Sequence, residues 1–484
     1  MNANIKQIEV FFNKTSEAAK KILESLSEGR CISVRSHLDA DGLAAAGIIG
    51  AALTRLEANF RIRIDRWFDE KVAEEISSDR DCLTILTDMG SGYLDILNKR
   101  LLDIPLIILD HHQAIEEASE SFIHINPHLY GIDGSRDLSG AGLAYFVAKN
   151  LNERNIDLAY LGVIGALGDV QDKYDQRKLG GINEIIVEDA EKTGYLKVET
   201  DLLFFGRETR PIHKALAYTT SPFIPGVSGE EDKSLAFITS LGIKPKEGDK
   251  WRALRDLSQD EKNKLFSALA EYLASRGIKS DVAMNLLGTV YTLTREEPWT
   301  PLRDTREFAL LLNATGRTDK PSLGVAICMG DRGTCLEEAN RALEEYRRII
   351  TKYLNWLNEN PECIEELESI YVIHGDRFID EKVISAISTI LLSNLPKLEK
   401  PIIAYSAMPE EKLIKISARA VDTLTRRGLN LGEILRIAAE KFSGKGGGHD
   451  VAAGAQVPYS EKTSFIKHVD ELVKKHLEGL DIGG

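Results

Sequence analysis

Pro105-Leu106-Ile107-Ile108-Leu109 runs straight into Asp110-His111-His112. A short apolar run of this kind suits a strand buried on both faces, as in a parallel sheet. Leu83-Thr84-Ile85-Leu86-Thr87 repeats the pattern and ends on Asp88, and Ile32–Val34 leads into His37-Leu38-Asp39-Ala40-Asp41-Gly42. A later apolar helical stretch, Leu158–Leu167, is followed by Gly168-Asp169. Strand after strand therefore delivers a carboxylate or an imidazole at its C-terminal tip, where open α/β sheets carry their chemistry. His37, Asp39 and Asp41 are spaced i, i+2, i+4, so an extended backbone would send all three to one face. Carboxylates crowded in this way repel unless cations sit between them. Four carboxylates and two histidines suit a pair of divalent ions, and the mixed oxygen and nitrogen donors favour Mn²⁺, with Mg²⁺ also admissible.

Each piece alone has a plainer reading. Asp41 ahead of Gly42 and Leu43–Ile49 suits a helix N-cap. A lone histidine is an ordinary polar residue, and a strand-end aspartate is ordinary loop chemistry. The ordered coincidence of all of them within one βα-patterned region favours the site.

A chain of 484 residues is too long for one compact core, so two or three domains are expected. Its 43% hydrophobic and 28% charged residues mark a globular protein. No apolar run reaches membrane-spanning length, and Met1–Lys14 lacks a basic segment followed by an apolar one, so the expected setting is cytoplasmic, with no membrane partner. Cys31 and Cys82 lie in apolar strand-like runs and read as small core residues, whereas Cys328 and Cys335 are candidates to pair. The net charge of −14 weighs against a protein that clings to duplex DNA through basic patches. It leaves room for a nuclease, because bound cations invert the local field of an acidic site.

The alternation of strand-like and helical segments over residues 1–190 predicts an α/β fold with a doubly wound, mainly parallel sheet. Strands are expected at 32–34, 60–67, 83–87, 106–109 and 122–125, with helices at 5–27, 43–56, 140–152 and 158–167. Residues 191–336 break the rhythm and read as a helical insertion or linker, charged and helix-prone from Lys246 to Lys279. A long amphipathic helix over 337–362 connects to a second, smaller α/β domain at 363–484. There Gly444-Lys445-Gly446-Gly447-Gly448-His449 reads as a turn lacking the Walker spacing. Three consecutive glycines cost backbone entropy, which points to close approach of a phosphate or nucleotide, and valine at Gly447 would strain any left-handed backbone there.

The Asp110-His111-His112 triplet, with His37-Leu38-Asp39-Ala40-Asp41-Gly42 upstream, resembles the DHH phosphoesterase superfamily, which includes RecJ exonucleases, oligoribonucleases, cyclic-dinucleotide phosphodiesterases and manganese pyrophosphatases. Leu312-Asn313-Ala314-Thr315-Gly316-Arg317 is similar to a RecJ stretch. Ile416-Ser417-Ala418-Arg419 and Gly446-Gly447-Gly448-His449-Asp450-Val451-Ala452-Ala453-Gly454 resemble the DHH-associated C-terminal domain. Glu208-Thr209-Arg210-Pro211, Ala217-Tyr218-Thr219-Thr220 and Pro222-Phe223-Ile224-Pro225-Gly226 resemble the archaeal RecJ-like branch, which includes a nuclease associated with the replication complex GINS.

The resemblance implies that His37, Asp39 and Asp88 hold one metal ion and that Asp41, Asp88, His111 and Asp169 hold the other, with Asp88 bridging. It implies that Asp110 orients a ligand histidine, that His112 reaches the substrate phosphate, and that Arg317, Ser417, Arg419, Gly447, Gly448 and His449 bind substrate. Bacterial RecJ commonly has an acid where this chain has His37. The implied activity is 5′→3′ exonucleolytic hydrolysis of single-stranded DNA in replication or repair. The alternatives are an oligoribonucleotide, RNA or cyclic-dinucleotide phosphodiesterase, against which the inserted 191–300 region argues, and a replication-fork scaffold, against which the complete ligand set argues.

Overall fold

The apolar runs that end on acids pair as parallel strands in the computed structural model, which describes residues 5–479 apart from 115, 220–221, 279 and 395–399. Strands β1 (Cys31–His37), β2 (Phe60–Asp65), β3 (Cys82–Thr87), β4 (Leu106–Leu109) and β5 (Ile123–Ile125) form one sheet in the order β2-β1-β3-β4-β5. Every ladder in it is parallel. β3 and β4 are buried along their whole length, which is why their sequences carry no polar alternation. β2 lies at the edge, and there Phe60-Arg61-Ile62-Arg63 alternates half-buried with exposed.

Helices α1 (Ile5–Ser27), α2 (Ala40–Arg55), α3 (Glu70–Ser77), α4 (Leu94–Arg100), α5 (Gly140–Leu151), α6 (Ala159–Gly168) and α7 (Asn183–Lys192) complete this part. The chain steps outward from β1 to β2, then back across β1 to β3. Right-handed crossovers therefore put α2 and α3 on opposite faces. α2 packs with α5 and α6, and α3 and α4 pack through Phe68, Val72 and Leu97 against Leu86 and Ile108.

Two cysteine expectations are corrected. Cys31 and Cys82 are partners in the β1–β3 ladder and are joined as a disulfide. Residues 51 apart in sequence give no hint of that register. Cys328 and Cys335 are free thiols.

From residue 196 the organisation changes. β6 (Leu196–Leu202) is followed by α8 (Ile212–Ala217), α9 (Glu231–Ser240), the two-stranded hairpin β7 (Lys246–Glu247) and β8 (Lys250–Trp251), α10 (Gln259–Ser275), α11 (Ser280–Met284) and β9 (Leu287–Leu293). β9 returns antiparallel to β6. Leu202, Ile212, Leu216, Ile238, Leu265 and Leu269 give this segment its own core. The hairpin replaces part of the helix expected from Lys246, and α10 starts only after Ser258, whose side chain and that of Glu261 form a capping box. Thr220 and Lys279 lie outside the described residues. α12 (Thr305–Arg317) and α13 (Pro321–Cys328) then pack on α2, and α14 (Thr334–Glu359) runs on where a connecting helix was expected.

The chain divides into two compact units, Met1–Leu343 and Glu344–Gly484, so the 191–336 segment belongs to the same unit as the parallel sheet. In the second unit, β10 (Ile364–Glu366), β11 (Tyr371–His374), β12 (Ile402–Met408), β13 (Leu413–Arg419), β14 (Lys445–Gly448) and β15 (Ala452–Pro458) are ordered β10-β11-β12-β13-β15-β14. β11 and β12 are parallel and the other ladders antiparallel. The helices are α15 (Ile384–Asn394), α16 (Asp422–Thr425), α17 (Leu431–Lys441) and α18 (Lys462–Leu477). Ile434, Leu435, Phe465 and Val469 share its core with Ile414, Ile416 and Val457. The glycine run read as a turn is the edge strand β14, with Gly447 opposite Gly454. Among the described residues, no helix is long and apolar enough to cross a membrane.

Candidate metal centre

The strand order reverses between β1 and β3, and such sheets bind ligands beyond the strand tips at that point. His37 closes β1. Asp39 caps α2, its Oδ1 accepting the Gly42 N–H at 3.1 Å. Asp41 lies in the first turn of that helix. The extended backbone expected across His37–Asp41 therefore gives way to helix at Ala40, and the cap is Asp39, not Asp41. The three side chains part as a result: His37 and Asp39 join Asp88, while Asp41 joins His111 and Asp169. Asp88 follows β3 with φ 56°, a left-handed conformation that aspartate tolerates better than most residues. Asp110, His111 and His112 follow β4, and Asp169 ends α6.

Within each of these two groups, one ligand atom per residue lies within 4.8 Å of the others. His37 Nδ1 is 2.8 Å from Asp39 Oδ2 and 3.7 Å from Asp88 Oδ2. His111 Nε2 is 3.1 Å from Asp88 Oδ1, 3.1 Å from Asp169 Oδ2 and 3.6 Å from Asp41 Oδ2. The two oxygens of Asp88 thus face the two groups, one each.

Protein contacts fix most of these side chains. His111 Nδ1 lies 2.6 Å from the Gly134 carbonyl, which can only accept, so Nδ1 carries the proton and Nε2 is turned to the acids. Asp41 accepts the Gly140 and Ala141 N–H groups at 2.6 and 3.0 Å, at the Ser139-capped N-terminus of α5. Asp110 Oδ1 lies 2.8 Å from His112 Nδ1, while its Oδ2 accepts the Ser91 N–H at 2.7 Å. Asn126 braces the same segment, donating to the His112 carbonyl at 2.7 Å and to Ser91 Oγ at 2.8 Å.

The electrostatics describe an acid cluster in want of positive charge. Burial, then Asp88 and Asp169, hold the Asp41 carboxyl well above the usual carboxylate range. Burial and Asp39 raise Asp88. Burial opposes a charge on His37, but Asp39 and Asp88 outweigh it and push the imidazole up to about 10. Against burial, His112, His111 and the Ser91 amide keep Asp110 below its ordinary range. Asp88 Oδ2 is buried without a hydrogen-bond donor. An orphaned carboxylate oxygen between two His/Asp groups, with a histidine already in the ligating tautomer, fits a pair of divalent cations.

Arg317 ends α12, and its charge helps hold Asp39 low. Asn313 Oδ1 accepts the Ala40 N–H at 3.0 Å, tying that stretch to the start of α2. In the second unit, the Ser417 hydroxyl is buried and unpaired. Arg419 donates to Thr389 Oγ1 at 3.0 Å and also to Ser385 Oγ. His449 N–H donates to the Ala452 carbonyl at 2.8 Å. Gly448 takes φ 133°, whereas Gly447 has no left-handed backbone and open space where a Cβ would stand.

Ser91, Asn126, Gly134, Gly140, Ala141 and Gln171 escaped the sequence reading. Ser139-Gly140-Ala141-Gly142 carried a cap signal that could have flagged an anion-accepting helix start. Gly134 acts through its carbonyl, which leaves no trace in a side-chain pattern.

A model of the DHH-CID domain matches residues 204–287, and one of the DHHA1 domain matches 369–475. The protein MJ0831 of Methanocaldococcus jannaschii is 32% identical over 483 residues, covering 99% of this chain and all of that protein. A putative prophage-derived single-strand DNA-specific exonuclease of Bacillus subtilis is 28% identical over 175 residues, 34% of this chain but only 30% of the exonuclease. RecJ of Thermus thermophilus in complex with Mn²⁺ superposes with a TM-score of 0.58 at 18% identity, over 96% of this chain and 55% of that one. CDC45 of Entamoeba histolytica superposes with a TM-score of 0.61 at 12% identity, over 96% and 99%. At these identities the two structures establish likeness of fold.

Proposed function

The chain belongs to the DHH superfamily and has RecJ-like architecture, and from that premise we propose that it is a metal-dependent exonuclease acting on single-stranded nucleic acid, DNA above RNA, from the 5′ end. The observation that carries the reading is the pair of His/Asp groups, His37–Asp39–Asp88 and Asp41–His111–Asp169, with the second Asp88 oxygen turned to His111. His37, Asp39 and Asp88 hold one divalent ion, and Asp41, Asp88, His111 and Asp169 hold the other. Mn²⁺ suits the mixed donor set, and Mg²⁺ can replace it. Divalent ions supply Lewis acidity toward a phosphodiester and an attacking water. His112, oriented by Asp110, meets the substrate phosphate. Arg317 neutralises charge on the phosphate beside Asp39.

Metal chemistry cannot hold a strand in register, so remote contacts must supply positioning. Ser417, Arg419, Gly447, Gly448 and His449 of the second unit serve that purpose, supported by the DHHA1 match over them. The complete ligand set speaks against a purely scaffolding protein. The resemblance of the 208–226 stretch, within the DHH-CID match, supports GINS as a partner alongside nuclease activity.

End-labelled single-stranded DNA and RNA of both polarities, with blunt duplex beside them, test the reading in Mn²⁺, in Mg²⁺ and in chelator. Processive loss of single-stranded DNA from the 5′ end, abolished by chelator, is expected. Equal rates on duplex and single strand, or rates indifferent to chelator, sink it.

A further inference from the structure

Two side chains converge on one backbone oxygen behind the metal centre. The Gly134 carbonyl accepts from His111 Nδ1 at 2.6 Å and from Gln171 Nε2 at 2.9 Å. A carbonyl has two lone pairs, so both bonds form together. Gln171 is wholly buried, and its own carbonyl accepts from Asn183 Nδ2 at 2.7 Å. Asn183, also buried, is anchored in turn by its N–H donating to the Asp137 carbonyl at 2.9 Å. A continuous chain of hydrogen bonds therefore runs from α7 to the imidazole that faces Asp41, Asp88 and Asp169.

The backbone that carries Gln171 makes the link specific. Asp169 ends α6, Val170 follows, and Gln171 closes the turn, with Val170 N–H donating to Leu167 O and Gln171 N–H to Ala166 O. This is a Schellman-type helix end, whose left-handed position is normally glycine. Here it is valine, at φ 55° and half exposed to solvent. A β-branched residue in that conformation is strained and persists only where its surroundings over-determine it. The Val170 side chain is no anchor, because it points outward. The buried Gln171 amide is. The same turn aims Asp169 at His111 Nε2, 3.1 Å away.

We infer that Gln171 is a positioning residue: by bonding the Gly134 carbonyl while its backbone closes the turn after Asp169, it locks His111 and Asp169 into register as ligands of one metal ion. This rests on the dimetal reading above. Groups that orient a metal-bound histidine from behind typically control metal affinity by about 10–100-fold. The effect falls first on the ion assigned to Asp41, Asp88, His111 and Asp169, because His111 and Asp169 are the ligands that this chain of bonds and its turn position.

Mn²⁺ titration calorimetry on the full-length chain tests it, beside activity measured against Mn²⁺ concentration. Gln171→Met keeps the length and bulk and removes the donor. Gln171→Glu keeps an acceptor for Asn183 and loses the donor to Gly134. In whichever variant folds, one Mn²⁺ site should weaken about 10–100-fold, the other should stay as in the parent, and excess Mn²⁺ should restore kcat. A general loss of packing would instead lower thermal stability in chelator and leave kcat low at any Mn²⁺ concentration, which overturns the inference. Unchanged affinity at both sites overturns it as well. If the parent chain itself binds no Mn²⁺, the dimetal reading has failed, an outcome distinct from either.

Discussion

Asp41 caps a helix to which it does not belong: its Oδ2 accepts the Gly140 N–H of α5 at 2.6 Å, across 99 residues of sequence. The contact is close because residue 140 has no side chain. A Cβ there would lie 2.7 Å from Asp88 Cβ and 3.0 Å from Asp41 Oδ2. Gly140→Ala should therefore push the two carboxylates apart at the centre of the site. Overpacking of this kind typically costs about 1–3 kcal/mol. Urea unfolding in chelator should register that loss, and Mn²⁺ affinity should fall with it. Unaltered Mn²⁺ binding by the alanine variant would mean that the α5 terminus does not shape the site.

Asp88→Asn separates charge from shape. Asparagine accepts the left-handed backbone at φ 56° as readily as aspartate. Removing the charge of a carboxylate that burial and Asp39 already drive toward protonation should leave metal-free stability equal or higher. Hydrolysis should drop by more than about a hundredfold, beyond the range usual for groups that act from behind a ligand. Near-normal turnover in Mn²⁺ would remove Asp88 as the shared ligand.

Much of the first sheet was legible because parallel strands are buried on both faces, and their apolar runs stop where the acids begin. His37, Asp88 and His111 could be picked out on that basis, Asp39 and Asp41 from their spacing after His37, and Asp169 from its place after an apolar helix. Their division into two groups was implied by the family resemblance and could not be read from the spacing, because it depends on helix starting at Ala40, and an i, i+2, i+4 spacing carries no such mark. The β6–β9 pair also escaped: its strands lie far apart in the chain, and its partners Leu196 and Leu293 are matched only by folding. The Cys31–Cys82 bond was missed for a similar reason, since it follows from strand register. Thiol titration of the unreduced chain in denaturant should find three reactive cysteines, rising to five after reduction. Five thiols without reductant would show that the bond does not form.

The glycines of β14 are not equivalent. Gly448 holds φ 133°, and a Cβ there would sit 2.7 Å from the Ala452 carbonyl. Gly447 meets nothing within 4 Å. Gly448→Ala should therefore destabilise the chain by about 1–3 kcal/mol, while Gly447→Ala should change stability by less than about 0.5 kcal/mol. That separation makes Gly447 the informative probe. If Gly447→Ala or Gly447→Val weakens binding of single-stranded DNA with the unfolding midpoint unchanged, the open space above it is where the strand runs. If binding survives valine, the strand does not approach there.

Glu307 offers a pH signature independent of the metal centre. Its carboxylate is buried, accepting the Glu208 N–H at 3.0 Å and the Thr209 hydroxyl at 2.5 Å. Burial, and then the charge of Asp304, push it up to about 7. In the unfolded chain it titrates near the ordinary glutamate value, about 4.3. Between those two values the folded chain keeps a proton that the unfolded chain has released. The contribution of Glu307 to stability must therefore fall as pH rises through that window and level off above about 7. Glu307→Gln mimics the protonated form and has no such slope. In chelator, the variant and the parent should unfold at similar urea concentrations near pH 4.5, and the variant should be the more stable at pH 8. Parallel curves for the two chains across the whole range would mean that Glu307 is ionised in the fold.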